Sequence, residues 1–135
     1  MAETLKQIAR FGLAGLVNTG VGFAVIVALD LGLGVAPALA NAGGYAVGIA
    51  VGFALNRSFV FRSRTGVAAS GARFAAAALG AFVLNQAALR AAGLALGGGA
   101  FAHLGAQLCG VATYSTTLFL LCRLWVFRAP LPSAG

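Results

Sequence analysis

The sequence predicts an all-α membrane protein with four transmembrane helices, arranged as two parallel two-helix repeats with both termini in the cytoplasm. The composition, the spacing of the charges and an internal repeat predict this fold. Of 135 residues, 61% are hydrophobic and 8% are charged, against about 25% charged in soluble domains. So few charges cannot give a folded chain of this size a water-facing surface. The composition therefore excludes an ordinary soluble domain.

Four uncharged runs predict the four spans. Charged residues bound runs of 19, 26, 16 and 32 residues, and a transmembrane helix needs about 20 apolar residues. The predicted helices cover residues 8–29, 37–60, 74–94 and 101–126. Pro37 at a helix start and Gly97 to Gly99 after the third helix are typical boundaries. The first run exceeds the usual 7 to 15 residues of a signal peptide, so we expect it to remain as a helix.

The basic residues predict the orientation. Eight of the nine fall at the N-terminus, the central loop or the C-terminus, which four spans place on one side: Lys6, Arg10, Arg57, Arg62, Arg64, Arg73, Arg123 and Arg128. The positive-inside rule assigns that side to the cytoplasm. Only Arg90 lies toward the other side. A net charge of +7 at these positions indicates topology, and we expect no nucleic-acid partner.

An aromatic and basic segment recurs in the second half of the chain. Arg57-Ser-Phe-Val-Phe-Arg62 is matched 66 residues later by Arg123-Leu-Trp-Val-Phe-Arg128. Arg10-Phe11 is likewise matched 63 residues later by Arg73-Phe74. An interfacial belt accounts for this composition but not for the matching order. We therefore predict one domain over residues 1–128, with repeats at about 8–62 and 72–128 and a disordered tail at 129–135.

Polar residues inside the predicted spans form stripes at helical spacing. A polar side chain is unfavourable in lipid, so each of these residues either forms hydrogen bonds between helices or belongs to a functional site. Both explanations stay open, and the second predicts a polar interior that binds a headgroup or sugar. The candidates are Asn18, Thr19, Asn41, Tyr45, Asn85, Gln86, His103, Gln107 and Tyr114. His103 has no acid near it in sequence and no metal-ligand spacing, which favours a packing role.

A row of small residues recurs every four positions in the second helix. Gly44, Gly48 and Gly52 belong to this row, and such rows let two helix backbones approach closely. The partner is either another helix of the same chain or a second subunit in a homodimer. Asp30 and Arg90 are the charges assigned to the far half of the membrane, where they form an outer ion pair or reach water separately.

Arginines at the predicted cytoplasmic interface suit a phosphate group. Arginine stays charged and binds phosphate through two parallel hydrogen bonds. Asn56 and Arg57 lie just inside the aromatic belt, where topology alone does not require them. The predicted phosphate or lipid-headgroup residues are Asn56, Arg57, Arg62, Arg123 and Arg128.

Three segments carry a family resemblance. They are Phe11-Gly-Leu-Ala-Gly15-Leu-Val-Asn18-Thr19, Phe53-Ala-Leu-Asn56-Arg57-Ser-Phe-Val-Phe61 and Phe119-Leu-Leu-Cys122-Arg123-Leu-Trp125-Val-Phe127. Together they resemble the GtrA-like family, small four-helix proteins implicated in moving polyprenyl-phosphate-linked sugars across the bacterial inner membrane for cell-surface polysaccharide modification. The resemblance points at Asn18, Thr19, Asn56 and Arg57. Cys122 stands in the second copy where the first has Asn56, which argues against a symmetric two-site mechanism.

The resemblance favours a translocase (flippase) for an undecaprenyl-phosphate-linked monosaccharide, without a cofactor, a metal or enzymatic activity. The chain has no Walker-type loop for a nucleotide. The alternative is a membrane anchor or organiser for a polyprenyl-phosphate glycosyltransferase, because a similar four-helix module is fused to some of these enzymes. A small multidrug-type antiporter has the right size but needs a membrane-embedded carboxylate, and Asp30 lies at a helix end.

Overall fold

A computed structural model describes residues 1–128 and confirms an all-α chain with four helices long and apolar enough to cross a membrane. The α-helices are α1 (Ala2–Val27), α2 (Pro37–Leu55), α3 (Val67–Leu96) and α4 (Ala100–Leu121). Within the described residues, α1, α2 and α4 each continue into a five-residue π-helical turn. These are the first π-turn (Ala28–Gly32), the second π-turn (Asn56–Val60) and the third π-turn (Cys122–Val126). The predicted disordered tail, residues 129–135, lies outside the described residues.

Two helix starts differ from the prediction. α1 begins at Ala2 instead of residue 8, and α3 begins at Val67 instead of residue 74. Lys6 and Arg73 mark where apolar character ends, but a helix continues beyond that point because its backbone hydrogen bonds do not depend on lipid. Asp30, which directly follows the predicted first helix, lies within the first π-turn. The predicted ends of the second and fourth helices, Val60 and Val126, are confirmed once their π-turns are included.

The chain divides into two compact units, Met1–Arg64 and Thr65–Gly135. In the first unit α1 packs against α2, and in the second unit α3 packs against α4. We call the interface between α1 and α2 the first seam and that between α3 and α4 the second seam. Whether residues 1–128 work as one domain, and on which side of the membrane the termini lie, remain predictions.

The first two π-turns end in the same backbone motif. In each, one N–H donates to the first carbonyl of the turn five residues back, and a residue with positive φ follows. The next N–H then donates six residues back. The first motif uses Leu33 to Ala28 at 3.1 Å, Gly34 at φ 65° and Val35 to Leu29 at 2.9 Å. The second uses Phe61 to Asn56 at 2.9 Å, Arg62 at φ 49° and Ser63 to Arg57 at 2.8 Å. The left-handed position is thus occupied by glycine after the first π-turn and by arginine after the second.

Candidate functional site

Small residues bring the backbones of α1 and α2 together in the first seam. A Cβ built on Gly44 would lie 2.9 Å from the Gly22 carbonyl oxygen and would collide with the Ile26 side chain. Gly48 lies against the amide of Asn18, and Gly52 is buried. The small-residue row of α2 therefore packs within its own chain, one of the two partners that the sequence left open.

Two asparagine amides lie along this seam, and each has a buried oxygen without a hydrogen-bond partner. Asn56 is 5% exposed, and its Nδ2 donates to the Gly52 carbonyl at 2.8 Å. That bond fixes the orientation of the amide, so the atom left over is the acceptor Oδ1. The Oδ1 of Asn18 is also buried and unpartnered. An unpaired buried polar atom lowers the stability of the fold by about 1–3 kcal/mol. Both asparagines are therefore candidates for a functional role.

Arg57 and Arg62 belong to the second π-turn and its capping motif. Arg57 is partly buried with its Nε atom covered, whereas Arg62 is exposed. Ser58 in the same turn donates its hydroxyl to the Ala54 carbonyl at 2.6 Å. The π-helical geometry widens this last turn, and such turns occur frequently at functional sites. A polar, arginine-bearing helix end therefore stands at the end of the first seam.

Arg10 of α1 also contacts this helix end. Its guanidinium carbon lies 5.9 Å from the centre of the Phe59 ring, a cation–π distance. The sequence assigned Arg10 only to topology, and the repeated Arg-Phe pair was its one visible signal. This contact adds a third arginine to the polar end of the first unit.

The second seam has the same contacts with different chemistry. A Cβ on Gly110 would collide with Asn85 Oδ1 and would lie 3.7 Å from Leu89 Cβ. Shifted by the repeat offsets of 63 and 66 residues, these contacts correspond to those that Gly44 makes with Gly22 and Ile26. At this point of each seam the two units make contacts at corresponding positions, and Asn85 stands where the first seam has Gly22.

The third π-turn carries fewer polar groups than the second. Cys122 is fully buried in the position of Asn56, and Leu124 replaces the hydroxyl of Ser58. Phe74 packs on Phe127 with ring centres 6.4 Å apart. Arg123 and Arg128 are exposed. The polar groups of the π-turns are therefore concentrated in the first unit.

Five residues of the predicted polar interior are exposed and do not belong to the buried core of their own unit. They are Thr19, Asn41, Tyr45, His103 and Gln107. In α2 the buried row passes through Ala40 and Gly44, and the next position along a helix is rotated by 100°. That rotation turns Asn41 and Tyr45 away from α1. In α4, Gln107 is displaced in the same way from the buried Ala106.

The remaining candidates divide between the two units. Gln86 and Tyr114 are both partly buried. Asp30 belongs to the first unit and is partly buried, and Arg90 belongs to the second and is exposed. Their outer ion pair stays a prediction. The π-turns and the left-handed Arg62 had no signal in the sequence.

The four long apolar helices make this chain a multi-pass membrane protein. Amides lie in the seams between its helices, and arginines lie at the helix ends. Residues 10–127 match the family model of the GtrA/DPMS transmembrane domain. Because this match covers nearly the whole chain, the protein belongs to that family, whose members are involved in handling sugar-linked lipids. The chain has no significant match among curated proteins or among solved structures.

Proposed function

We propose that this chain translocates a polyprenyl-phosphate-linked monosaccharide across the bacterial inner membrane for cell-surface polysaccharide synthesis or glycosylation. The observation that carries the proposal is the polar end of the first unit. There a buried asparagine with a free acceptor atom adjoins a partly buried arginine in a π-helical turn. A headgroup that is both charged and hydroxyl-rich matches this combination.

In this mechanism the arginines hold the phosphate. Arg57 and Arg62 lie five residues apart in one turn and its cap, and guanidinium groups bind phosphate through paired hydrogen bonds. Arg123 and Arg128 add positive charge at the corresponding end of the second unit. The partly buried polar residues contact the sugar, and the prenyl tail stays in lipid beside the helices. No bond is made or broken, so the chain acts as a transporter and not as an enzyme.

The test is translocation in vesicles that contain only this protein. A fluorescent polyprenyl-phosphate sugar is placed in the inner leaflet, and its arrival in the outer leaflet is measured by quenching. We expect the wild type to move the lipid. Arg57→Gln should lower the translocation rate by about tenfold, because the loss of one charge-assisted hydrogen bond has an effect of that size. The matched control is Arg64→Gln, which removes the same charge from an exposed residue of the central loop.

Two results contradict the proposal. Equal rates for Arg57→Gln and Arg64→Gln mean that the polar end of the first unit is not the phosphate site. No movement by folded wild-type protein rules out a translocase that works alone. Copurification of that inactive protein with a polyprenyl-phosphate glycosyltransferase would support the anchor function instead.

A further inference from the structure

The unpaired atom of Asn56 has the wrong polarity for a phosphate. Its donor, Nδ2, is already bonded to the Gly52 carbonyl at 2.8 Å, and the group that remains is the oxygen Oδ1. A phosphate ester at neutral pH offers acceptor oxygens. Two acceptors repel each other, so Asn56 in this arrangement does not bind the phosphate of a lipid headgroup, the function that the sequence predicted for it.

Asn18 presents the same kind of atom on the opposite side of the first seam. Its Oδ1 is buried and unpartnered, and its amide lies against Gly48, one turn from the Gly52 carbonyl that holds Asn56. Gly48 and the buried Gly52 contribute no side chains to this part of the seam. Two acceptor oxygens therefore border a stretch that a ligand group can enter when the helices separate locally.

A hydroxyl group suits these oxygens better than a cation does. Arg57 is the next residue in the chain and Arg10 lies over Phe59 of the same turn, so the local charge opposes a metal ion. The described residues contain no group of three carboxylate, histidine or cysteine side chains that could hold one. A hydroxyl is neutral and donates one hydrogen bond.

We propose that Asn18 and Asn56 form a sugar-hydroxyl subsite in the first seam, separate from the arginines that bind phosphate. This inference rests on the proposed function and divides its headgroup site into two parts. In the seam both amide oxygens are buried without a donor from the protein. A sugar hydroxyl that enters the seam supplies the missing donor, so the sugar itself favours opening of the first unit.

The second seam provides the matched variants. Shifted by the repeat offsets, Asn18 corresponds to Ala81 and Asn56 to Cys122, both buried in well-packed positions. Asn18→Ala and Asn56→Cys therefore install the residues that stand at the repeat-related positions of the second unit. Cys122→Ala is the control for a change at the corresponding position of the second unit.

The experiment measures binding of lipid probes to the purified full chain in nanodiscs. The bare-lipid probe is polyprenyl methyl phosphate, a diester with the same single charge as the glycosylated lipids. The other probes are polyprenyl phosphate carrying glucose, mannose, galactose or arabinose. A version of the tightest sugar probe with every hydroxyl methylated completes the set. We expect the wild type to bind one sugar probe about five- to tenfold more tightly than the bare lipid, as one or two hydrogen bonds provide.

Asn18→Ala and Asn56→Cys should each lose most of this preference while binding the bare lipid as the wild type does. Methylation of the sugar should remove the preference in the wild type, and Cys122→Ala should keep it. Arg57→Gln should weaken binding of every probe. The inference is overturned if the asparagine variants weaken bare and glycosylated lipid equally, or if no sugar probe exceeds the bare lipid. Failure of folded wild type to bind any probe would instead remove the proposed function.

Discussion

The first seam has no room for a side chain at Gly44. A Cβ there would meet the Gly22 carbonyl, which is backbone and cannot rotate away, as well as Ile26. We expect Gly44→Ala to lower the free energy of unfolding by about 1–3 kcal/mol, as in other overpacked sites. Gly110→Ala should cost less because it meets the movable end of the Asn85 side chain. Thermal unfolding in detergent measures both.

The control for this pair is Gly20→Ala. Gly20 lies in α1 with nothing within 4 Å of an added Cβ, and alanine favours a helix over glycine by about 1 kcal/mol. Gly20→Ala should therefore leave stability unchanged or raise it. If Gly44→Ala is as stable as Gly20→Ala, the close approach of α1 and α2 at this point is wrong.

Arg62 follows the second π-turn in the left-handed backbone conformation that Gly34 adopts after the first π-turn. A left-handed φ of 49° costs a residue with a Cβ about 1–2 kcal/mol. We expect Arg62→Gly to unfold at a higher temperature than Arg62→Ala, by about 1 kcal/mol in stability, because both lack the guanidinium and only glycine relieves the strain. Gly34→Ala should lose a similar amount. Equal stability of the two Arg62 variants would contradict this account of the turn.

The helices show which boundaries a sequence can predict. Pro37 fixes the start of α2 through its ring geometry. Gly97 directly follows α3 and Gly99 directly precedes α4, at φ 75° and 111°. Charged residues are a weaker guide because they mark where a helix leaves the lipid and not where its backbone hydrogen bonds begin. The predicted starts of α1 and α3 therefore lie too far along the chain. A π-turn differs from an α-turn by one hydrogen-bond step, and no residue pattern in these segments distinguishes the two.

The contact between Arg10 and Phe59 links the start of α1 to the second π-turn. A partly covered cation–π pair contributes about 0.5–1 kcal/mol. A double-mutant cycle with Arg10→Gln and Phe59→Leu should return a coupling energy of that size from unfolding measurements. The same cycle with Lys6→Gln, which instead removes the partner of Glu3 at 3.2 Å, should be additive. Additivity in the Arg10 cycle would show that the ring contact contributes nothing.

At the scale of the whole chain, the repeat in the sequence predicts corresponding positions in the two units. Gly44 and Gly110 make contacts at positions that the repeat offsets relate, and the full extent of the repeat stays a prediction. The repeat could not predict that the unpaired amide oxygens fall in the first seam. Burial depends on which of several neighbouring rows of a helix faces its partner, and apolar residues on all sides of a transmembrane helix leave that choice undetermined.

Orientation in the membrane is the prediction that involves the whole chain. If the termini and central loop are cytoplasmic, then the loops after α1 and α3 face outward. In a background with Cys109→Ser and Cys122→Ala, single cysteines at Leu33, Gly66 and Gly98 serve as probes, since Leu33 is 75% exposed and the two glycines have open surroundings. In intact cells an impermeant maleimide should label Leu33→Cys and Gly98→Cys but not Gly66→Cys. After lysis all three should react, and labelling of Gly66→Cys alone in intact cells would invert the topology and move the arginine-bearing π-turn to the outer face.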